Sequence, residues 1–334
     1  MSQVTAAAEA PDSAVSAPPG LVRDALKGPQ ALVGLALLAT FVAIALLQPV
    51  LLSQDSTTKV GAVFAPPSRE HVLGLDGGGA DMVALLIDGT RVSLLVGFAA
   101  ALVSAVIGGL VGLTSGFFGG KTDITLMRLT DYFIVIPDIP LMIVAAALFG
   151  RSLTNIIVII GIIYWTTTAR LLRAQVKSVR ERVYVRRARG LGAGNLWLIR
   201  KHVVPQIAPL LIANTVLLVA YAIFAETFIT FLGLGDPSVI SWGRLIENAF
   251  TDDAILNDAW WTIVPPGVCV AIVVLAATMV GSSIEDALNP RLAVGHLSVR
   301  RFGLRVLPQM PPRGERSATT PPPTGAAAPG KGRR

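Results

Sequence analysis

Residues 92–120 read VSLLVGFAAALVSAVIGGLVGLTSGFFGG, a run of 29 residues without a charged side chain. A second such run of 26 residues covers 259–284, and shorter ones cover 28–54, 152–169 and 207–225. About 20 apolar residues suffice to cross the hydrocarbon core of a bilayer. The whole chain of 334 residues is 53% hydrophobic and only 15% charged, against about 25% charged in soluble domains. The composition excludes a soluble enzyme, a secreted disulfide-bonded scaffold and a disordered protein, and it predicts an all-α polytopic membrane protein.

The apolar runs predict six transmembrane helices, at about 30–52, 91–118, 132–150, 153–171, 207–233 and 262–284. An even number of crossings places both termini on the same side of the membrane. That side would carry 23 of the 28 Lys and Arg residues, and cytoplasmic loops are the ones enriched in basic residues. We therefore expect both termini in the cytoplasm, with the first run retained as a signal-anchor helix.

The same pattern divides the chain into three parts. Residues 1–29 and the basic, Pro-rich segment 294–334 are expected to be disordered cytoplasmic tails. Residues 30–293 form the six-helix transmembrane domain. Two external loops, 53–90 and 234–261, are acidic and long enough to hold short helices. The basic residues bracket the spans, where orientation and anionic membrane lipid explain them, and no nucleic-acid partner is expected.

The largest cytoplasmic loop, 172–206, reads LRAQVKSVRERVYVRRARGLGAGNLWLIRKHVVPQ. Its first part has apolar residues at helical spacing (Leu172, Val176, Val179 and Val183), which predicts an amphipathic continuation of the fourth span. Gly192 can adopt a positive φ angle and end a helix, and a second short apolar stretch follows it. The pattern fits a helix, a glycine turn and a second helix that form a projecting knob, or an ordinary basic connecting loop.

This loop resembles the EAA loop of bacterial ABC importer permeases, in the form typical of the peptide-importer branch. The matching residues are Tyr184, Val185, Ala188, Arg189, Leu191, Gly192, Ala193, His202 and Pro205. Arg186 and Arg187 replace the usual Glu-Ala pair. The resemblance implies that residues 184–193, Gly190 included, couple the permease to an ATPase, with the two arginines reversing the charge of the usual acidic contact.

Other stretches resemble the same family in the same order. They are His71–Asp81, Gly89 with Arg91 and Ser93, Gly116–Gly120, Arg128–Asp131, Ala225-Glu226 with Phe231–Gly235, Ser241-Trp242-Gly243 and Asp286–Leu292. The resemblance covers about 22–293, and the nearest subfamily is the DppC/OppC type of dipeptide and oligopeptide importers.

The resemblance implies a type I ABC importer permease fold in the cytoplasmic (inner) membrane and a subunit that is not an enzyme. A homologous permease of the DppB/OppB type would complete a pathway for peptides that works by alternating access. Separate ABC ATPase subunits would hydrolyse ATP, and no cofactor is implied. An extracytoplasmic peptide-binding protein would dock on the external loops, where the candidate residues are Asp76, Asp81, Ser241, Trp242 and Gly243.

Two carboxylates lie within the predicted spans, and charged groups in a membrane are costly and commonly functional. Glu226 is a candidate to line the pathway, to bind a peptide amino group or to pair with a partner subunit; the alternative is a structural hydrogen bond to a neighbouring helix. Asp138 follows Pro137, which interrupts helical hydrogen bonding and marks a candidate gate near the inner end of the third span.

Other substrates and other classes of membrane protein are alternatives to a peptide importer. Nickel, glutathione or antimicrobial peptides are alternative substrates of similar permeases, and a proton-coupled secondary transporter is a more distant alternative because the spans hold few titratable residues. A membrane-embedded hydrolase would need a nucleophile with a base beside it. Ser115–Thr122 lacks the first glycine of a phosphate-binding loop and follows a membrane helix rather than a strand. The spacing of His71, Asp76 and Asp81 favours a turn in which Asp side chains bond backbone amides over a metal site.

Overall fold

The computed structural model describes residues 26–52 and 55–288. Within these residues the regular structure is helical, with one isolated β-bridge between Leu75 and Asp81, and the predicted all-α class is confirmed. The expectations for the tails fall on residues 1–25 and 289–334, which lie outside the described part, as does the end of the matched stretch Asp286–Leu292.

The helices, in chain order, are α1 (Pro29–Leu51), α2 (Met82–Phe118), α3 (Gly120–Val135), α4 (Asp138–Phe149), α5 (Leu153–Arg180), α6 (Val183–Gly190), α7 (Asn195–Leu198), α8 (Val204–Ile229), α9 (Trp242–Thr251) and α10 (Val264–Leu288). A π-helical turn joins α7 to α8, a second one ends α8 at Thr230–Leu234, and a 3-10 turn precedes α10.

Five helical segments of the described chain are long and apolar enough to cross a membrane, namely those built on α1, α2, α5, α8 and α10. The third predicted crossing, 132–150, corresponds to α3 and α4 together, which are bent by 87° at their junction. A continuous helix over 132–150 is therefore wrong. Helix α3 stops at Val135 because a residue before proline disfavours the helical conformation, and Ile136 is extended (φ −82°, ψ 125°).

The second span begins nine residues earlier than predicted, at Met82 instead of 91. Asp81 caps it, since one carboxylate oxygen accepts hydrogen bonds from the amides of Val83 (2.7 Å) and Ala84 (3.3 Å). The described part of the preceding loop, 55–81, consists of turns and the isolated β-bridge, while residues 82–90 of the predicted loop 53–90 belong to α2. In the loop 234–261 the expected short helix is present as α9.

Helix α2 lies at the centre of the bundle and packs most extensively against α5. Three glycines one turn apart, Gly108, Gly112 and Gly116, let the two helices approach closely. A Cβ atom on Gly112 would lie 2.6 Å from the carbonyl oxygen of Ala169. Small residues commonly permit such contact between membrane helices, where dispersion replaces the hydrophobic effect as the attraction.

Candidate functional site

The cytoplasmic loop folds into the predicted helix, glycine turn and second helix. Helix α6 ends in a Schellman motif: the amide of Ala193 donates to the carbonyl of Ala188 (3.1 Å), and the amide of Gly192 donates to that of Arg189 (3.0 Å). Gly192 has φ +89°, a left-handed conformation that other residues rarely adopt. We call residues 183–203 the cytoplasmic knob.

The base of the cytoplasmic knob is part of the protein core. Val185, Leu198 and Val203 are fully buried, and they pack against Phe117 of α2 and Val176 of α5. The predicted amphipathic continuation of the fourth span supplies much of this contact, because α5 extends to Arg180 with Leu172, Val176 and Val179 buried. The base of the knob and the ends of α2 and α5 therefore share one apolar core.

The outer surface of the knob mixes apolar and basic side chains. Leu191 is 90% exposed at the turn, and Leu196 and Trp197 are exposed beside it. The exposed residues of the predicted coupling set are Tyr184, Arg186, Arg187, Arg189, Gly190, Leu191, Gly192 and Pro205. Exposed apolar groups on a projecting surface mark a protein interaction site.

The remaining predicted residues hold the knob together. Ala188 and Ala193 are partly buried against its apolar base. The ring of His202 lies 5.5 Å from that of Tyr184 and 5.1 Å from that of Trp197, measured between centroids. These contacts place His202 between the two short helices, in agreement with a packing role. Arg182 donates to Gln206 (2.7 Å) and ties the knob to α8.

An ionic cluster around Asp123 lies beside the knob and was not predicted from the sequence. Asp123, in the first turn of α3, accepts hydrogen bonds from Arg173 (Nη2 to Oδ2, 2.8 Å), from Lys177 (2.6 Å) and from the hydroxyl of Ser115. It thereby joins α2, α3 and α5 at the end of the bundle that carries the knob. The spacing of Arg173 and Lys177, one helical turn apart, indicated that both face the same side of a helix. Nothing in the sequence identified Asp123 as their partner.

Glu226 lies in a buried polar cluster between α2, α8 and the start of α9. Its carboxylate accepts a hydrogen bond from Thr230 (3.1 Å) and a longer one from Ser93 (3.4 Å), whose own oxygen accepts from the amide of Trp242 (3.1 Å). Only 2% of Glu226 is exposed. In this structure these contacts are those of the structural hydrogen-bonding alternative.

The prediction that Ser241, Trp242 and Gly243 contact a docking protein needs correction, because all three are buried. The Trp242 side chain is fully enclosed, and its indole N–H donates to the carbonyl of Leu86 (3.3 Å). The hydroxyl of Ser241 caps α9 by accepting from the amide of Arg244 (3.3 Å). This stretch fixes α9 to the bundle.

The two external aspartates form turns of the expected kind. Asp76 accepts from the amides of Gly78 (2.9 Å) and Ala80 (2.8 Å), and the second oxygen of Asp81 lies 2.6 Å from Nδ1 of His71. Asp76 also lines a polar cleft of about 590 Å³ between the two external loops. Partial burial raises the pKa of the Asp252 carboxyl above its usual range, and repulsion from Asp76 and Asp253 adds to the shift. The carboxylates of Asp76, Asp252 and Asp253 therefore lie near one another in this part of the surface.

Asp138 and Pro137 lie at the junction of α3 and α4, and both side chains are exposed at the surface of the chain. The junction borders a cavity of about 310 Å³ that also contacts Tyr164 and Arg170 in the middle of α5. Arg170 is held by an ion pair with Asp131 (2.6 Å). The structure thus brings Asp138 together with polar groups of α5.

These features define a multi-pass helical membrane protein with a projecting knob formed by residues 183–203. Residues 108–294 match the family described as the inner membrane component of binding-protein-dependent transport systems, and the chain belongs to this family. The predicted resemblance to ABC importer permeases of the DppC/OppC type is confirmed.

Similar proteins cover most of both chains. A protein of Brucella suis biovar 1 (strain 1330), named as a candidate peptide transport system permease, is 36% identical over 265 residues, which are 78% of this chain and 88% of the relative. The oligopeptide transport system permease protein OppC of Bacillus subtilis (strain 168) is 33% identical over 264 residues, 78% of this chain and 86% of the relative.

Proposed function

We propose that this chain is the permease subunit of an ABC importer for dipeptides or oligopeptides. With a homologous permease it would form a pathway that opens alternately to the two sides of the membrane. Membership of the family and the names of two relatives support the proposal. The subunit would carry no catalytic site, and ATP would be hydrolysed by separate ATPase chains.

The proposed orientation has both termini in the cytoplasm. With the bent pair α3 and α4 counted as one crossing, the chain crosses six times. The cytoplasmic knob and the ionic cluster of Asp123 then share one side with most of the basic residues. The acidic cleft bordered by Asp76 faces the opposite side, where it would receive a peptide-binding protein.

The observation that carries the proposal is the architecture of the knob. Its tip is exposed and apolar at Leu191, while its base at Val185 and Leu198 is fully buried against the membrane helices. Such a shape suits insertion of the tip into a groove of an ATPase. ATP-driven closure of two ATPase domains would shift both knobs and, through the buried base, the helices that border the pathway.

The test compares two exposed leucines at opposite ends of the molecule. Tagged full-length chain is purified in mild detergent from its native membrane, and retained proteins are identified by mass spectrometry. We expect a second permease and an ABC ATPase. With Leu191→Glu, the amount of ATPase retained should fall at least tenfold, because a charge would enter an apolar contact. The amount of the second permease should stay the same.

The control is Leu256→Glu, since Leu256 is 81% exposed in the loop between α9 and α10. This variant should keep the ATPase at the level of the unmodified chain. Retention of the ATPase by Leu191→Glu would contradict the proposed role of the tip. Absence of any ATPase from the unmodified complex, with transport in liposomes that needs no ATP, would overturn the proposed function.

A further inference from the structure

The junction between α3 and α4 exposes backbone that a lipid environment does not tolerate. Helix α3 ends at Val135, and Ile136 and Pro137 are extended before α4 starts. The last four carbonyl groups of a helix have no partner within it. Non-helical backbone at membrane depth is found where it contacts protein or a water-filled cavity, and not where it contacts lipid.

The junction lies between the two ends of the bundle. Helix α3 starts directly after the cytoplasmic end of α2, and α4 ends at the external hairpin of Gly150. Between these ends, the junction borders residues 163–170 near the centre of α5. The rings of Phe133 and Trp165 meet there at 5.8 Å between centroids.

The cavity at the junction contains polar groups without partners. Across residues 26–52 and 55–288, no hydrogen bond or ion pair is formed by the carboxylate of Asp138 or by the hydroxyl of Tyr164. Both groups line the same cavity. Arg170, which also lines it, is engaged by Asp131. Asp138 is therefore an exposed carboxylate within the bundle that has no ion-pair partner among the described residues.

We infer that this cavity is a substrate contact point within the translocation pathway, where Asp138 binds a protonated amine of the passing molecule. A charge at this depth needs a counter-charge or water. The ring of Tyr164 lines the cavity, with the ring of Tyr221 packed behind it at 6.2 Å between centroids, and an aromatic ring face favours a cation over an anion. The inference rests on the proposed function, because a peptide with a free amino terminus supplies such a group.

The first test asks whether the cavity is aqueous. In the full complex, with the single cysteine replaced by Cys269→Ser, Asp138→Cys is treated with a charged, membrane-impermeant thiol reagent during ATP turnover. Leu102→Cys is the control, because Leu102 is exposed on an uninterrupted apolar stretch of α2. We expect labelling at least tenfold faster at position 138. Equal or slower labelling there would overturn the inference.

The second test asks which group is recognised. ATP-dependent uptake of alanyl-alanine is compared with uptake of N-acetyl-alanyl-alanine, in the unmodified complex and in Asp138→Asn. The variant should reduce uptake of the free peptide about 10- to 100-fold, as expected for loss of one hydrogen bond to a charged group. It should leave uptake of the acetylated peptide unchanged. Glu285→Gln, an exposed carboxylate at the end of α10, is the control.

An equal effect of Asp138→Asn on both peptides would contradict recognition of the amine and point to pairing with a cation of the partner subunit. If the unmodified complex takes up neither peptide, the proposed function fails for peptides. The labelling experiment is independent of that result, so the failure of the site and the failure of the function are distinguishable.

Discussion

Gly112 offers the sharpest test of the packing between α2 and α5. A Cβ atom at this position would lie 2.6 Å from the carbonyl oxygen of Ala169 and 2.9 Å from Cβ of Leu172. Both neighbours belong to a fully buried face of α5, and a backbone carbonyl cannot rotate away. Gly112→Ala can therefore be accommodated only if the two helices move apart.

The size of the effect follows from the distance. An ordinary contact starts at 3.4 Å, so the helices must separate locally by about 0.8 Å. A gap of that size forfeits about a quarter to a half of the attraction of an atom pair, or roughly 0.05 kcal/mol. Over about 40 pairs, the contacts of one buried leucine, the loss is about 2 kcal/mol. This agrees with the ~1–3 kcal/mol that overpacking usually costs.

The neighbouring Gly109 provides a matched control. Its Cβ would meet Leu211 at 3.7 Å and Leu172 at 3.9 Å, and both distances are ordinary van der Waals contacts. Unfolding of the purified full-length chain in mixed micelles with increasing sodium dodecyl sulfate, followed by tryptophan fluorescence, gives the free energy of unfolding. Gly112→Ala should lower it by about 2 kcal/mol, and Gly109→Ala should not. Equal stability of the two variants would refute the close-packing argument.

Three further predictions concern other contacts. Gly192→Ala should destabilise the knob by about 1–2 kcal/mol because Gly192 has a positive φ. Gly190→Ala, at a position with open space on α6, should be neutral or stabilising. Limited proteolysis should therefore cleave the loop faster in the Gly192 variant than in the Gly190 variant. Glu226→Ala should lower the free energy of unfolding by about 1–3 kcal/mol, because it leaves buried hydroxyls unsatisfied. Glu226→Gln should lower it less, and unfolding in mixed micelles measures both. Hydrogen bonds from Ser238 and from the amide of Leu153 hold the pKa of Asp236 below its usual value of 3.8. The stabilisation that the ionised carboxylate gives the folded state is therefore complete at neutral pH, and it is lost as the pH falls through that lowered pKa. Thermal unfolding between pH 6 and pH 3 should therefore show an acid-dependent loss that Asp236→Asn lacks; an identical pH profile for this variant would contradict the assignment.

Local patterns predicted the features that depend on neighbours along the chain. The glycine turn of the knob is an example, because Gly192 closes the helix through bonds to carbonyls only three to five residues away. The aspartate turn at Asp76 has the same character, with both amides within four residues. The apolar runs similarly marked the membrane helices, since a helix satisfies its backbone within one segment.

Contacts between distant parts of the chain were not predictable in this way. Ser93 and Glu226 are 133 positions apart, and the amide of Trp242 is a further partner of the same serine. The sequence pattern around Trp242 indicated an external segment, and burial of the side chain depends on the fit of α9 against α2. The bend at Pro137 was suspected, but its angle of 87° depends on the packing of α3 and α4 against α5.

The sequence by itself therefore determined that the chain crosses a membrane repeatedly, on which side its basic loops are expected, and where the cytoplasmic knob turns. These properties follow from hydropathy, charge and backbone chemistry within short segments. Only the tertiary structure decided that Glu226 is enclosed, that Asp123 joins three helices and that Asp138 borders an open cavity. A carboxylate has the same chemistry at all three positions, and its role is set by the groups that helices from other parts of the chain bring within hydrogen-bonding distance.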